Sequence, residues 1–139
     1  MTKQEIFETM DRIRAIDEQL QVIAIKIERL ESCAQGHAIR YDQIKVQSSV
    51  ADPVERIIED LSELIDKQKV LRGQMVKAIG DASGLIELVD DRRQKLVLYY
   101  RYVGLLAWGE VADRVHTSER HVYRLHDLGI DTIKRQKCQ

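Results

Sequence analysis

Two long heptad patterns in the first eighty residues constrain this chain more than any other feature of its sequence. With Ile6 at position a, that position runs Ile6, Ile13, Leu20, Ile27, and position d runs Thr9, Ile16, Ile23, Leu30. Only Thr9 interrupts the Ile/Leu seam. A 3.5-residue apolar repeat cannot be buried as a strand, whose side chains alternate with period two, so it specifies a helix packed along another helix. The pattern predicts a first helix from about Thr2 to Ser32.

The second pattern opens with a start signal. Asp52 is a good N-cap, Pro53 suits the first helical position, and Glu55 completes a D-x-x-E capping box. Its seam is Val54, Ile57, Leu61, Leu64, Gln68, Leu71, Met75 and Ala78, widened by Ile58, Ile65 and Ile79. Gln68 is the single polar seam residue, of the kind that fixes register or partner number. Gly80 and the following "DASG" read as the stop. Between the helices lies "CAQGHAIRYDQIKVQSSVA", residues 33–51, polar and without a clear period. Such a link reads as a mobile or functional loop. The expected architecture for residues 1–80 is an antiparallel, coiled-coil-like helical hairpin serving as an oligomerisation region. Each helix could instead pair with its copy in another subunit. Apolar side chains such as Ile25 and Ile58, left poorly covered by a lone hairpin, favour a homodimer.

Charge divides the chain. Residues 1–91 hold 12 Lys and Arg against 18 Asp and Glu, a balance of −6; residues 92–139 hold 10 against 5, a balance of +5. The second part is suited to a polyanionic partner and the first is not. No run of about 20 apolar residues offers a membrane span, and "MTKQEIFETMDR" lacks the apolar core of a signal peptide. A cytoplasmic protein of a bacterial host, without a membrane partner, is expected. Cys33 and Cys138 read as free thiols.

The segment "LIELVDDRRQKLVLYYRYVG" reads as one helix, with Leu88, Val89, Leu96, Tyr99 and Val103 inward and Gly104 as its stop. "AWGEVADRVHTSERHVYRLH" then fits a helix-turn-helix template. Ala112 falls where two helices approach most closely. Val111 and Val115 point inward from the first helix, Val122 and Leu125 from the second. Thr117 or Ser118 caps the second helix, which leaves Arg120, His121, Tyr123 and Arg124 on its outer faces. Short residues for close approach, followed by donors that reach phosphates and base edges, are what a recognition helix needs. The turn position where glycine is common holds His116, which predicts a looser or rearranged turn.

These residues carry a resemblance. "RQKLVLYYRYVGLLAWGEVADRVHTSERHVYRLHDLGIDTIKR" resembles region 4 of bacterial sigma factors in its leucine-rich helix, "YRY", short link, "W-x-E-V-A" and "S-x-R-x-V" helix. With "VQSS" at Val46–Ser49, most of the chain is similar to a family of uncharacterised phage and prophage proteins of Gram-positive bacteria, themselves similar to the ArpU and RinA groups of late-gene regulators. The resemblance implies an all-α protein: the hairpin, then a sigma region 4-like helix-turn-helix domain over residues 85–137. It also implies a sequence-specific DNA-binding transcriptional regulator.

The expected DNA-binding residues are Thr117, Ser118, Arg120, His121, Tyr123, Arg124, Lys134 and Arg135, with double-stranded DNA, and RNA polymerase as a further candidate, as partners. Bland readings stand beside these. Arg120 and Arg124 alone would be solvated helix charges, and Lys134, Arg135 and Lys137 could simply gain from the helix macrodipole. Trp108 reads as core rather than as a base-stacking platform. His121 and Tyr123 lie two residues apart and cannot share the centre of one helix face, so one contacts DNA while the other packs or lies beside the groove. His116, His121 and His126 recur every five residues, which is no metal-ligand spacing, and no nucleophile, acid–base pair or phosphate loop is present. The chain therefore reads as a non-enzyme without metal or cofactor. Two other functions fit: the DNA-recognition subunit of a phage packaging terminase, or an interaction protein that binds RNA polymerase or a host regulator and never touches DNA.

Overall fold

Every regular element among the described residues is a helix. The computed structural model describes residues 1–39 and 53–138, with side chains through 35 in the first helix. Helix α1 spans Lys3–Ile39 and α2 spans Pro53–Ile86. Helix α3, Arg92–Leu98, passes directly into a π turn at Tyr99–Val103, and α4, Trp108–Val115, is followed by α5, Glu119–Lys137. The "VQSS" element at Val46–Ser49 and the Asp52 cap lie outside the described residues.

Helix α1 begins with a reciprocal cap. The Glu5 amide donates to Thr2 Oγ1 at 3.2 Å, and the Thr2 amide donates to Glu5 Oε2 at 2.9 Å. This satisfies two donors that a helix start would otherwise expose. The hydroxyl of Thr9, the polar seam residue, donates to the Glu5 carbonyl at 2.9 Å and so enters a half-buried position without an unmet donor.

Three expected boundaries move. Helix α1 runs on to Ile39, so the start of the expected 33–51 loop is helical. Helix α2 does not stop at Gly80; it continues through Gly84 to Ile86. The reason is packing, because Ala82, Leu85 and Ile86 are buried beyond the glycine, and that burial outweighs the roughly 1 kcal/mol helix cost of a glycine. The helix expected from Leu85 to Val103 is instead broken after Ile86. Asp91 caps a new helix, accepting from the Gln94 amide at 2.9 Å. Glu87 spans the break: Tyr99 donates its hydroxyl across 2.6 Å, and Lys95 Nζ lies 3.2 Å away. That hydrogen bond, reinforced by Lys95, holds the Glu87 carboxyl below its usual range.

The break and the π turn shift the inward face. Val89 is buried as expected, but Leu88, Leu96, Tyr99 and Val103 are only half-buried, while Val97, Leu98 and Tyr102 take the interior positions.

The chain divides into two compact units. One is Asp17–Gly73, where α1 and α2 run side by side in opposite directions. Gln19 and Ile23 share a groove with Glu63 and Leu71, whereas Lys26 and Leu30 share one with Asp60 and Lys67. Within it the seam positions Leu20, Ile27, Ile57, Leu61, Leu64 and Gln68 are half-buried, and Ile23 and Leu71 are buried.

The other unit comprises Met1–Ile16 and Gln74–Gln139. Its largest fully buried side chains include Ile6, Met10, Ile13, Ile86, Leu98, Ile130 and Ile133. No helix among the described residues is long and apolar enough to cross a membrane.

Candidate nucleic-acid interface

Three residues, His116 to Ser118, join α4 to α5. His116 closes α4 in the left-handed conformation, at φ 59° and ψ 48°. Its amide donates to the Asp113 carbonyl at 3.3 Å and the Thr117 amide to the Ala112 carbonyl at 3.0 Å. Those are the two bonds of a Schellman motif, in which glycine is usual because a side chain disfavours positive φ. Arg93 donates from α3 to the Val115 carbonyl at 3.2 Å, meeting another acceptor at the same helix end. The expected loosening at His116 does not occur: the turn is closed and the strain stays in one residue.

Ser118 then caps α5. Its side-chain oxygen accepts from the His121 amide at 3.2 Å. Beneath the turn lies the cluster that the sequence spacing anticipates: Val111, Ala112, Val115, Val122 and Leu125, joined by Val97. Tyr100, Leu106 and Trp108 pack around it.

Helix α5 is sharply two-sided. Val122, Leu125, His126, Gly129, Ile130 and Ile133 are buried, a stripe of helical period. Arg120 and Arg124, one turn apart, are exposed on the opposite side. Asp127 and Asp131 continue that exposed face, so the basic character does not run the length of the helix. Asp131 is paired with Lys3 at 3.0 Å, and Asp127 Oδ1 lies 3.0 Å from His126 Nδ1.

The predicted residues therefore fall into two groups. Thr117, Ser118, Arg120, His121, Tyr123 and Arg124 sit together on the turn and the first turns of α5. Lys134 and Arg135 lie ten residues and more beyond Arg124, about 15 Å along the axis. They line a separate groove with Lys3 and Gln94. Of His121 and Tyr123, which flank the buried Val122, Tyr123 packs its ring 4.8 Å from Trp108 while staying 45 % exposed, and His121 is half-buried. Trp108 is accordingly a packing residue, also meeting His126 edge-on at 5.1 Å.

Other basic side chains of this unit are engaged internally. The Arg101 guanidinium sits 4.4 Å over the Trp108 ring and donates to the Leu106 carbonyl at 3.0 Å, fastening the link before α4. Arg114 lies 5.8 Å over Tyr100.

Sequence reasoning missed His126 as a structural centre. Its Nε2 lies 2.6 Å from the Tyr102 hydroxyl, and its ring stacks on Phe7 at 6.1 Å. Burial pushes the imidazole below its usual pKa, opposed by the hydrogen bond and charge of Asp127. The one available signal was that His126 shares an inward position with Val122 and Ile130. No His, Cys, Asp and Glu grouping able to hold a metal occurs among the described residues. No protein-family model, curated protein or solved structure matches the chain.

Proposed function

We propose that the protein is a sequence-specific, double-stranded-DNA-binding transcriptional regulator of the phage or prophage late-gene type. In this reading α4 and α5 form a helix-turn-helix, and residues 1–80 form the hairpin that joins two copies or meets RNA polymerase. The observation that carries the reading is the placement of Arg120 and Arg124. Both are exposed at the capped start of a helix whose other face is locked into the core. A guanidinium fork matches the O6 and N7 acceptors of guanine in the major groove, which an α-helix can enter. Ser118 and Thr117 stand at the helix N-terminus, where amide donors and the macrodipole favour a phosphate. Lys134 and Arg135 act on phosphates outside the base-reading site. The resemblance to sigma factor region 4 and to phage late-gene regulators points the same way.

The test is binding of the purified protein to fragments of its own phage or prophage genome, beside an Arg120→Ala/Arg124→Ala variant, at two salt concentrations. A single protected site, lost in the variant and surviving moderate salt, is expected. Its location beside a promoter supports a regulator, whereas a packaging site and a ring-shaped oligomer would make it a terminase subunit. Absence of any retained fragment at low salt overturns both.

A second reading has an observation of its own. Asp127, Asp131 and the 43 % exposed Leu128 lie on the same outer side of α5, a combination suited to a protein surface rather than to phosphates. An interaction protein would retain its function when Arg120 and Arg124 are replaced.

A further inference from the structure

We infer that the Asp17–Gly73 unit dimerises with a second copy of this chain through one face of its helix pair, about a two-fold axis parallel to the helices. That face is a groove with an apolar floor and charged rims. Ile23 and Leu71 form its buried base, and Val22 and Val70 stand above them at 51 % and 61 % exposed. Two exposed valines over a continuous apolar base leave a strip in water that a matching helix pair would cover.

The rims decide what covers it. On the α1 side stand Lys26 and Arg29, and on the α2 side Asp60 and Glu63 at the same height along the pair. Asp66 extends the acidic rim towards the valines. Among the described residues, Lys26 and Arg29 form no ion pair with α2; the only bridge along this stretch is within α2, Lys67 to Glu63 at 3.7 Å. The α1 rim is positive, and the α2 rim, where Asp60, Glu63 and Asp66 outnumber Lys67, is net negative, so the surface complements itself.

Self-complementarity of this kind selects the symmetry. A two-fold axis parallel to the helices lays α1 of one copy over α2 of the other without changing height, so Lys26 and Arg29 meet the partner's acidic rim, twice per dimer. An axis perpendicular to the helix pair would lay α1 over α1 and α2 over α2, opposing like charges. The parallel axis also makes every adjacent helix antiparallel, the usual arrangement of a four-helix bundle. The two Asp17/Gly73 ends, from which the rest of each chain departs, then lie at one end of the bundle. This inference stands apart from DNA binding, since oligomeric state is measured without DNA.

The experiment is sedimentation equilibrium of the full chain over a concentration series, by analytical ultracentrifugation, with circular dichroism to verify that each variant folds. A dimer is expected, with at least a tenfold rise in Kd for Lys26→Glu/Arg29→Glu and recovery on adding Asp60→Lys/Glu63→Lys. Val22→Glu/Val70→Glu, at exposed positions that leave the fold intact, should yield a monomer. In a Cys33→Ser/Cys138→Ser background, co-expressed chains carrying Arg29→Cys and Glu63→Cys should cross-link to each other. A wild-type monomer at high concentration, or a dimer indifferent to the valine and charge variants, overturns the inference. Cross-linking of Arg29→Cys chains to themselves overturns the axis.

Discussion

The Tyr102 hydroxyl and His126 Nε2 meet at 2.6 Å, with both residues only 7 % exposed. Burial pushes the Tyr102 hydroxyl well above its usual range, so it keeps its proton, and because the Asp127 carboxylate beside Nδ1 can only accept, Nε2 is left to accept from that hydroxyl. The imidazole is thereby the neutral tautomer that carries its proton on Nδ1, which donates to Asp127 across 3.0 Å. Phe7 stacks on one side and Trp108 meets the ring edge-on, so a cation formed here would have little water around it.

The pH dependence follows from that geometry. Because the folded-state pKa of His126 lies below the unfolded value near 6.5, the unfolded chain binds more protons in the interval between them. The stabilisation is complete above about pH 6.5 and is lost as pH falls towards the folded pKa, with a slope of at most about 1.4 kcal/mol per pH unit. Urea denaturation between pH 8 and 5 should show this decline, and His126→Gln should flatten it. A decline unchanged in His126→Gln would assign it to other groups.

Replacing Tyr102 by Phe removes the donor and leaves a buried imidazole nitrogen unmet. The expected loss is about 1–3 kcal/mol of unfolding free energy, readable as a lower urea midpoint with an unchanged m-value.

At His116 the side chain opposes its own backbone. Glycine there should stabilise the protein by about 1 kcal/mol, since the left-handed penalty for an L-residue is about 1–2 kcal/mol and glycine's greater unfolded freedom takes back part. A melting temperature that fails to rise in His116→Gly would mean that the imidazole makes a compensating contact.

Gly129 is required for a close approach. A Cβ at this position would stand 2.9 Å from Leu98 Cδ1, and Leu98 is fully buried. Gly129→Ala gains up to about 1 kcal/mol of helix propensity against an overpacking cost of about 1–3 kcal/mol. Net destabilisation is expected, and Leu98→Val in the same chain should recover part of it.

Under the proposed function, the separation of the two basic groups on α5 predicts distinct signatures in DNA binding. Arg120→Ala or Arg124→Ala should cost about 1–3 kcal/mol on the specific site and relax its sequence preference. Lys134→Ala should weaken all sequences alike and reduce the salt slope by about 0.9. Ser118→Asp offers a cleaner separation of fold from function. It keeps the cap on α5 while placing a carboxylate where a phosphate would sit, so stability should hold while affinity falls at low salt. Equal affinity for wild type and Ser118→Asp would remove the N-terminus of α5 from the interface.

Much of this architecture was legible because it is local and periodic. The heptad seams name residues that the helices turn inward, with Ile6, Ile13, Ile16, Ile23, Leu71 and Ala78 buried and the others half-buried, and the spacing from Ala112 to Leu125 names the cluster under the α4–α5 turn. What the pattern conceals is competition between local and distant preferences. Gly80 has the chemistry of a stop, yet the apolar residues beyond it have a core to enter. The π turn closes with a backbone bond that spans five residues, Gly104 to the Tyr99 carbonyl at 2.8 Å, a geometry that no apolar periodicity encodes. His126 owes its role to Phe7, from the opposite end of the sequence, and only the folded chain brings them together. Arg120 and Arg124 were readable for a simpler reason: a short amphipathic helix with its inward positions assigned leaves its outward ones by elimination.

The contacts of Phe7 with His126 and of Lys3 with Asp131 bear on the order in which the chain assembles. The unit they belong to draws on Met1–Ile16 and on Gln74–Gln139, so its core closes across most of the sequence. Contacts of such separation form late and slow folding, because the intervening chain must be ordered first. During synthesis Lys3 and Phe7, in the first turns of α1, leave the ribosome and wait for Asp131 and His126 to be made. The helix pair of Asp17–Gly73, by contrast, has all its residues in hand well before that point and can form while the rest is still being translated.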